Sequence, residues 1–155
     1  MAGNVEKKLR ELGIALAGAA APVANYVPVV ITGNLAFVSG QVTFLNGEIQ
    51  YRGRLGKELG LEQGQSAARL CALNVIAQIK AALGGDLDRV KRCVKLTVFV
   101  NSADDFTDQP KVANGASDLM VEVFGDAGKH ARSAVGVNVL PLNVAVEVDA
   151  VVEIA

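Results

Sequence analysis

Arg132 and Glu147 are the two residues of this chain whose types and setting could do chemistry together. Both lie in the stretch Ala131 to Ile154, ARSAVGVNVLPLNVAVEVDAVVEI, which reads as two β-runs folded about a Leu140–Pro141 turn. A guanidinium at the head of an apolar strand is costly to bury without an anionic partner. Its rigid fork of donors suits a carboxylate or phosphate bidentately. The partner is either a ligand or a carboxylate of the chain itself, Glu147 or Glu122, in a salt bridge at the sheet rim. Glu147 stands among Val144, Val146 and Val148, where burial would raise its pKa toward the range useful to a general base. Its bland role is to neutralise Arg132.

The remaining chemistry-bearing residues are sparse. Cys71 and Cys93 form no CxxC pair, and His130 is the sole histidine, so a His/Cys metal site lacks ligands. The cysteines are expected to be buried and reduced. Asp86 and Asp88 in GGDLDRV fit a loop with Leu87 tucked inward better than a metal site. Arg52, Arg54 and Lys57, beside glycines that match no P-loop, read as solvated loop charges. With 15 Lys and Arg against 16 Asp and Glu and no basic block, the chain lacks the usual signature of a nucleic-acid partner.

The elements that must position these residues follow from periodicity. Asn4 caps a helix from Val5 to about Leu16, closed by Gly18. Tyr26 opens a β-run over Val27–Thr32, and Gly33–Asn34 turns it into Leu35–Ser39. A meander through Gln41–Tyr51 and a polar loop over Tyr51–Gly60 lead into a helix over Glu62–Leu83, stopped by Gly84–Gly85. A strand over Val90–Val100, a connection over Ala103–Pro110 and a helix over Val112–Phe124 precede the final β-runs. The order β-β-α-β-α-β gives an α+β sheet with two helices on one face, plus an N-terminal helical extension over 1–20, in a single domain over 1–155. Valines 135, 137, 146, 148, 151 and 152 offer more apolar face than two helices cover, so subunit packing is expected. No stretch reads as a secretory signal or a membrane span, which suits a soluble cytoplasmic protein without membrane partners.

Ordered blocks of the chain resemble the reactive intermediate deaminase (RidA/YjgF) family, whose older labels include endoribonuclease L-PSP. They are Asn25–Tyr26, Gly33–Asn34–Leu35, Val38–Ser39–Gly40–Gln41, the run VKLTVFV over 94–100, and R-S-A-V-x-V-x-x-L-P followed by V-E-V-x-A. The resemblance implies a chorismate-mutase-like fold, a homotrimer with clefts between subunits, and no cofactor or metal. It implies hydrolysis of enamine or imine intermediates, such as 2-aminoacrylate and 2-imino acids, to 2-keto acids and ammonia. By position in these motifs, Arg132 is similar to the family's carboxylate-clamping arginine. Glu147, fifteen residues on, is similar to its water-activating glutamate. Tyr26 and Asn114 match cleft residues, Ser39 and Gly40 cleft-wall elements, and the backbones of Ser133 and Ala134 would orient substrate.

The chain departs from that pattern at Ala134, where many members carry cysteine, at Pro28–Val29, in the N-terminal helix and in the longer connection near Asp108–Pro110. These mark a divergent branch. The alternative reading is a non-catalytic module that binds a small carboxylate-bearing metabolite through the same arginine. A ribonuclease is third, because it would want a basic groove and an acid/base histidine. A chorismate mutase is last, because a dicarboxylate would need more cationic groups.

Overall fold

Strand alternation here sorts side chains into one face that packs under helices and one that does not. The computed structural model describes residues 3–155, so Met1 and Ala2 of the expected extension lie outside the described residues. The elements are α1 (Asn4–Glu11), β1 (Val29–Thr32), β2 (Leu35–Gln41), β3 (Phe44–Leu45), β4 (Glu48–Ile49), α2 (Leu61–Ala82), β5 (Val90–Asn101), α3 (Gln109–Phe124), β6 (Ala131–Val137) and β7 (Val146–Ile154). Five strands form one sheet in the order β1-β2-β7-β5-β6, and β3 and β4 pair separately. Only β5–β6 is parallel, as a connection through α3 requires; the other pairs are antiparallel.

The two closing β-runs are therefore not neighbours in the sheet. A short helical turn over Pro141–Asn143 does separate these strands, but β5 lies between them. The buried Asn101 side chain at the end of β5 fixes that turn: its Nδ2 donates to the Asn143 side chain at 3.0 Å and to the Val144 carbonyl at 3.0 Å.

The alanine-rich face of α2 lies on the sheet. Ala67, Ala68, Cys71 and Ala72 are small enough to bring the helix close to Val146, Val148 and Val98 in one buried cluster. Valines 146, 148 and 152 are thus covered by helices rather than exposed. The opposite face carries Phe37 and Val135, which are exposed, and Phe99, Val137 and Val151, which are half-buried. Of the six valines expected to face a partner, Val135, Val137 and Val151 do lie on the uncovered face, whereas Val146, Val148 and Val152 lie under the helices.

Helix ends differ from expectation where tertiary contacts supply the caps. α1 starts with Gly3 at its N-cap, and the Asp88 carboxylate accepts from the Asn4 and Val5 N–H groups, both at 2.9 Å. Gly13, with φ +70°, follows its end, so Leu12 to Leu16 continue as packed coil. Asp86 accepts from the Asp88 N–H at 3.1 Å, and Leu87 is buried between them. α3 begins three residues earlier than expected, because Pro110 occupies its first turn, where a missing N–H costs nothing.

Gly115 brings α3 against α2. A Cβ there would overlap the Gln65 carbonyl oxygen, a backbone atom that does not move aside. We expect Gly115→Val to destabilise the fold by about 2 kcal/mol through overpacking. Urea denaturation would show this as a lower midpoint with an unchanged slope; an unchanged midpoint would mean the helices can separate freely.

Candidate functional site

β6 is an edge strand, and its register against β5 sets where Arg132 points. Arg132 stands opposite Leu96, which is wholly buried beneath the helices, so its side chain is on the helix face. There the guanidinium meets α3: Nη1 donates to Asn114 Oδ1 at 2.8 Å and to Ser117 Oγ at 3.1 Å. Asn114 and Ser117 are one helical turn apart on the same face. Ser117 Oγ also lies 2.9 Å from His130 Nε2, and His130 Nδ1 lies 2.7 Å from the Gly128 carbonyl. Among the described residues Arg132 forms no ion pair, and its side chain is exposed. Glu122 pairs instead with Arg69 at 3.3 Å. The internal salt bridge weighed for Arg132 does not form.

Glu147 belongs to the other face. It pairs with Phe99, which in turn pairs with Val135, and Asp149–Thr97–Ser133 make the next row. The valines around Glu147 point the opposite way, so they do not enclose it. Gly40 does: a Cβ at that position would run into the Glu147 carboxylate. Burial raises the Glu147 pKa above the ordinary glutamate value, and the Asp149 carboxylate two residues on raises it further. Arg132, on the other face, is not among the groups that shift it.

Gly40 and Ser39 sit where the β2–β7 register shifts, between Val38 and Gln41. Ser39 holds the segment after Tyr26, its Oγ donating to the Val27 carbonyl at 2.9 Å and its N–H to the Pro28 carbonyl at 2.9 Å. Tyr26 lies just before β1 rather than in it and is 52% exposed. It lines a cavity of about 470 Å³ with Pro28, Gly40, Val42, Phe44, Leu142 and the Asn74 and Gln78 side chains, and no charged residue borders that space.

One chain thus carries two separate groupings. Arg132, Asn114 and Ala134 lie toward the helices at the β6 edge; Ala134 pairs with the buried Val98. Glu147 and Gly40 meet on the other face of the sheet, Ser39 adjoins Gly40, and Tyr26 lines the nearby cavity that α2 also borders. Ser133 shares the open face with Asp149 but stands beside Arg132 along the strand. β6 is the free edge of the sheet, so alternate residues along it turn their backbone N–H and C=O groups away from β5. Ser117 and His130 were not singled out from sequence for this grouping. Their one signal is spacing: Ser117 follows Asn114 by three, and His130 precedes Arg132 by two, which gives it the same parity.

Both cysteines are buried and free. Burial pushes the Cys93 thiol up to about 12, and burial followed by the Glu147 charge holds Cys71 well above its usual value. Among the described residues no three His, Cys, Asp or Glu side chains are placed to hold a metal, and no helix is long and apolar enough to cross a membrane.

The family model described as "YjgF/chorismate mutase-like, putative endoribonuclease" matches residues 6–154. The chain belongs to that family. Protein TCP17 of Trypanosoma cruzi is 56% identical over 153 residues, covering 98% of this chain and 95% of that protein. The crystal structure of Atu1372 from Agrobacterium tumefaciens is 48% identical, covers 97% of this chain and 92% of its own, and superposes with a TM-score of 0.92. TdcF of E. coli, solved with bound serine, is 28% identical, covers 88% of this chain and 94% of its own, and has a TM-score of 0.63. The mixed sheet with helices on one face is the YjgF/chorismate-mutase-like fold, and this chain is nearer in shape to Atu1372 than to TdcF.

Because the folded chain raises the Glu147 pKa, the native state holds a proton that the unfolded state gives up sooner. Stability is then fully present below the unfolded pKa and declines as pH rises through the folded one. Glu147→Gln should flatten that decline in urea denaturation series, and Asp149→Asn should move the Glu147 carboxyl ¹³C titration toward lower pH. A titration unmoved by Asp149→Asn would remove the like-charge contribution.

Proposed function

We propose that this family member hydrolyses 2-imino acids and their enamine tautomers to 2-keto acids and ammonia, at sites formed between copies of one 155-residue domain in a homotrimer. The observation that carries the reading is an exposed guanidinium held by neutral oxygens and left without a carboxylate of its own. Such a group keeps its charge for an anion, and a substrate carboxylate fits its fork. The bound serine of TdcF, a small carboxylate-bearing molecule in a relative, is consistent with it.

The chemistry asks for little. An imine beside a carboxylate already hydrolyses in water, so the protein must clamp the acid, place a water and move a proton. Arg132 clamps, with the edge backbone of Ser133 and Ala134 orienting the bound acid and Asn114 steadying the guanidinium. Glu147, with its raised pKa, takes a proton from the attacking water and returns it to the departing nitrogen. Ser39, Gly40 and Tyr26 form the wall beside Glu147, and the uncharged cavity next to Tyr26 receives the substrate's side chain.

Arg132 and Glu147 lie on opposite faces of one sheet, so the site joins the Arg132 grouping of one copy to the Glu147 grouping of the next. The uncovered apolar residues of the open face, Phe37, Val135 and Phe99 among them, give the copies a surface to pack. No resident cofactor has a step in this scheme. RNA cleavage is the weaker reading, since both ring nitrogens of the sole histidine are engaged within the chain.

Ammonia and keto-acid release from imines generated in situ by an amino-acid oxidase tests the assignment. Wild type should accelerate release; Arg132→Ala should lose the acceleration, and Glu147→Gln should lower kcat by about 100-fold or more. Each variant should remain assembled by light scattering. Mixing the two inactive variants and letting subunits exchange should restore activity at about a quarter of interfaces by random assortment in a ring. No restoration after exchange would place both residues in one copy's site. Pyruvate binding without faster imine hydrolysis would turn the assignment to a carboxylate-binding module.

A further inference from the structure

We infer that Ser117 and His130 are positioning residues: they form a hydrogen-bonded relay that fixes which edge of the Arg132 guanidinium faces an incoming carboxylate. The inference deepens the proposed carboxylate clamp and rests on it. Neither residue belongs to the set implied by the family resemblance.

The direction of every proton in the relay follows from its anchor. His130 Nδ1 lies 2.7 Å from the Gly128 carbonyl, which can only accept, so Nδ1 carries the hydrogen. In neutral imidazole Nε2 is then an acceptor, and the group facing it at 2.9 Å is the Ser117 hydroxyl, which must donate. With its hydrogen committed to His130, Ser117 Oγ presents lone pairs to its other neighbour, Arg132 Nη1, at 3.1 Å. Asn114 Oδ1 takes the second Nη1 hydrogen at 2.8 Å. Both hydrogens on Nη1 are therefore held, and the Nε–H and the two Nη2 hydrogens remain. A guanidinium in this setting offers a carboxylate the Nε/Nη2 edge. With the opposite imidazole tautomer, a lone pair would face the Gly128 carbonyl and the Ser117 hydroxyl would be free to turn away.

The anchor is packed against backbone. Gly128 is buried, and a Cβ there would overlap the Met120 carbonyl, so this short segment lies directly on the backbone of α3. Gly115 seats the same helix against α2 between Asn114 and Ser117. The relay thus spans two backbones that approach each other too closely to drift. Its acceptors are neutral, unlike the carboxylate that would ordinarily steady an arginine. An acid in that place would order the side chain equally well and would compete with the ligand for its charge.

The test compares two pairs of full-length variants: Ser117→Ala with Ser117→Thr, and His130→Phe with His130→Gln. The first of each pair deletes the relay contact, and the second keeps a hydroxyl or an acceptor at about the same reach. Pyruvate is the probe for calorimetry, and the oxidase-generated imines serve for kinetics. Ser117→Ala and His130→Phe should weaken pyruvate binding and raise KM by about tenfold, with kcat within about twofold of wild type. Ser117→Thr and His130→Gln should recover most of that loss. In ¹⁵N spectra of the arginine side chains, the Arg132 Nη signals should be resolved in wild type and merge by rapid rotation in Ser117→Ala.

Pyruvate binding unchanged in Ser117→Ala and His130→Phe overturns the relay. So does a loss that tracks a fall in melting temperature and is not recovered by the conservative variants, since that marks a structural role alone. The underlying reading fails separately: wild type that binds pyruvate yet does not accelerate imine hydrolysis removes the deaminase, while the pyruvate series still decides the relay. Wild type that binds no pyruvate overturns clamp and relay together.

Discussion

Side-chain alternation across β5 governs everything about the candidate site. β5 pairs with β6 on one side and β7 on the other, and each pairing hands its own parity to its neighbour. Leu96 is buried under the helices and carries Arg132 to that face; Phe99 is on the open face and carries Glu147 there. A one-residue slip of β7 would put both groups on one side, but it would also turn the buried Val146, Val148 and Val152 toward the open face. The apolar core thus enforces the separation of the two polar groups. The separation is a consequence of packing before it is a feature of any reaction.

The helices add a second constraint, distance. α2 approaches the sheet on an alanine face, and α3 approaches α2 at Gly115, so the polar residues of α3 arrive at the β6 edge with little freedom. Asn114 and Ser117 receive the guanidinium because α3 is seated there. On the far side of the sheet, Gly40 makes the corresponding room for the Glu147 carboxylate. Both polar groupings therefore depend on a missing Cβ. In each case the glycine matters for the space it leaves to a neighbour, and not for a turn.

Much of this was legible in the chain, in proportion to how local its cause is. α2 reads directly from its alanine and leucine spacing and its Gly84–Gly85 stop, and it runs within a residue of the expected span at each end. The turn at Leu140–Pro141 was also legible, but not that β5 separates the strands around it, because no residue in a turn records which strand its neighbours choose. Alternation in β7 gave two faces without saying which was buried, and Val146, Val148, Ala150 and Val152 proved to be the inner set. The N-cap of α1 was placed on Asn4, while the carboxylate that serves it, Asp88, comes from far along the chain. Arg132 was weighed against carboxylates, the partners its charge suggests. Its actual partners are a serine, an asparagine and, through the serine, a histidine two residues upstream that had been weighed as a metal ligand or an acid/base group, not as a partner of the arginine. Partner choice is set by tertiary placement, and type alone does not carry it.

The two cysteines have a consequence beyond packing. Cys71 lies between α2 and the sheet, its Sγ 3.3 Å from the Val146 carbonyl, and Cys93 is buried in the same core. Both thiols are held in the protonated, unreactive form, and position 134 carries alanine. Among the described residues the folded surface exposes no sulfur nucleophile. Soft electrophiles such as conjugated carbonyl and enamine-derived species are captured in proteins chiefly by thiolates. This fold offers such compounds no accessible thiolate, a consequence of where its cysteine sulfurs are buried.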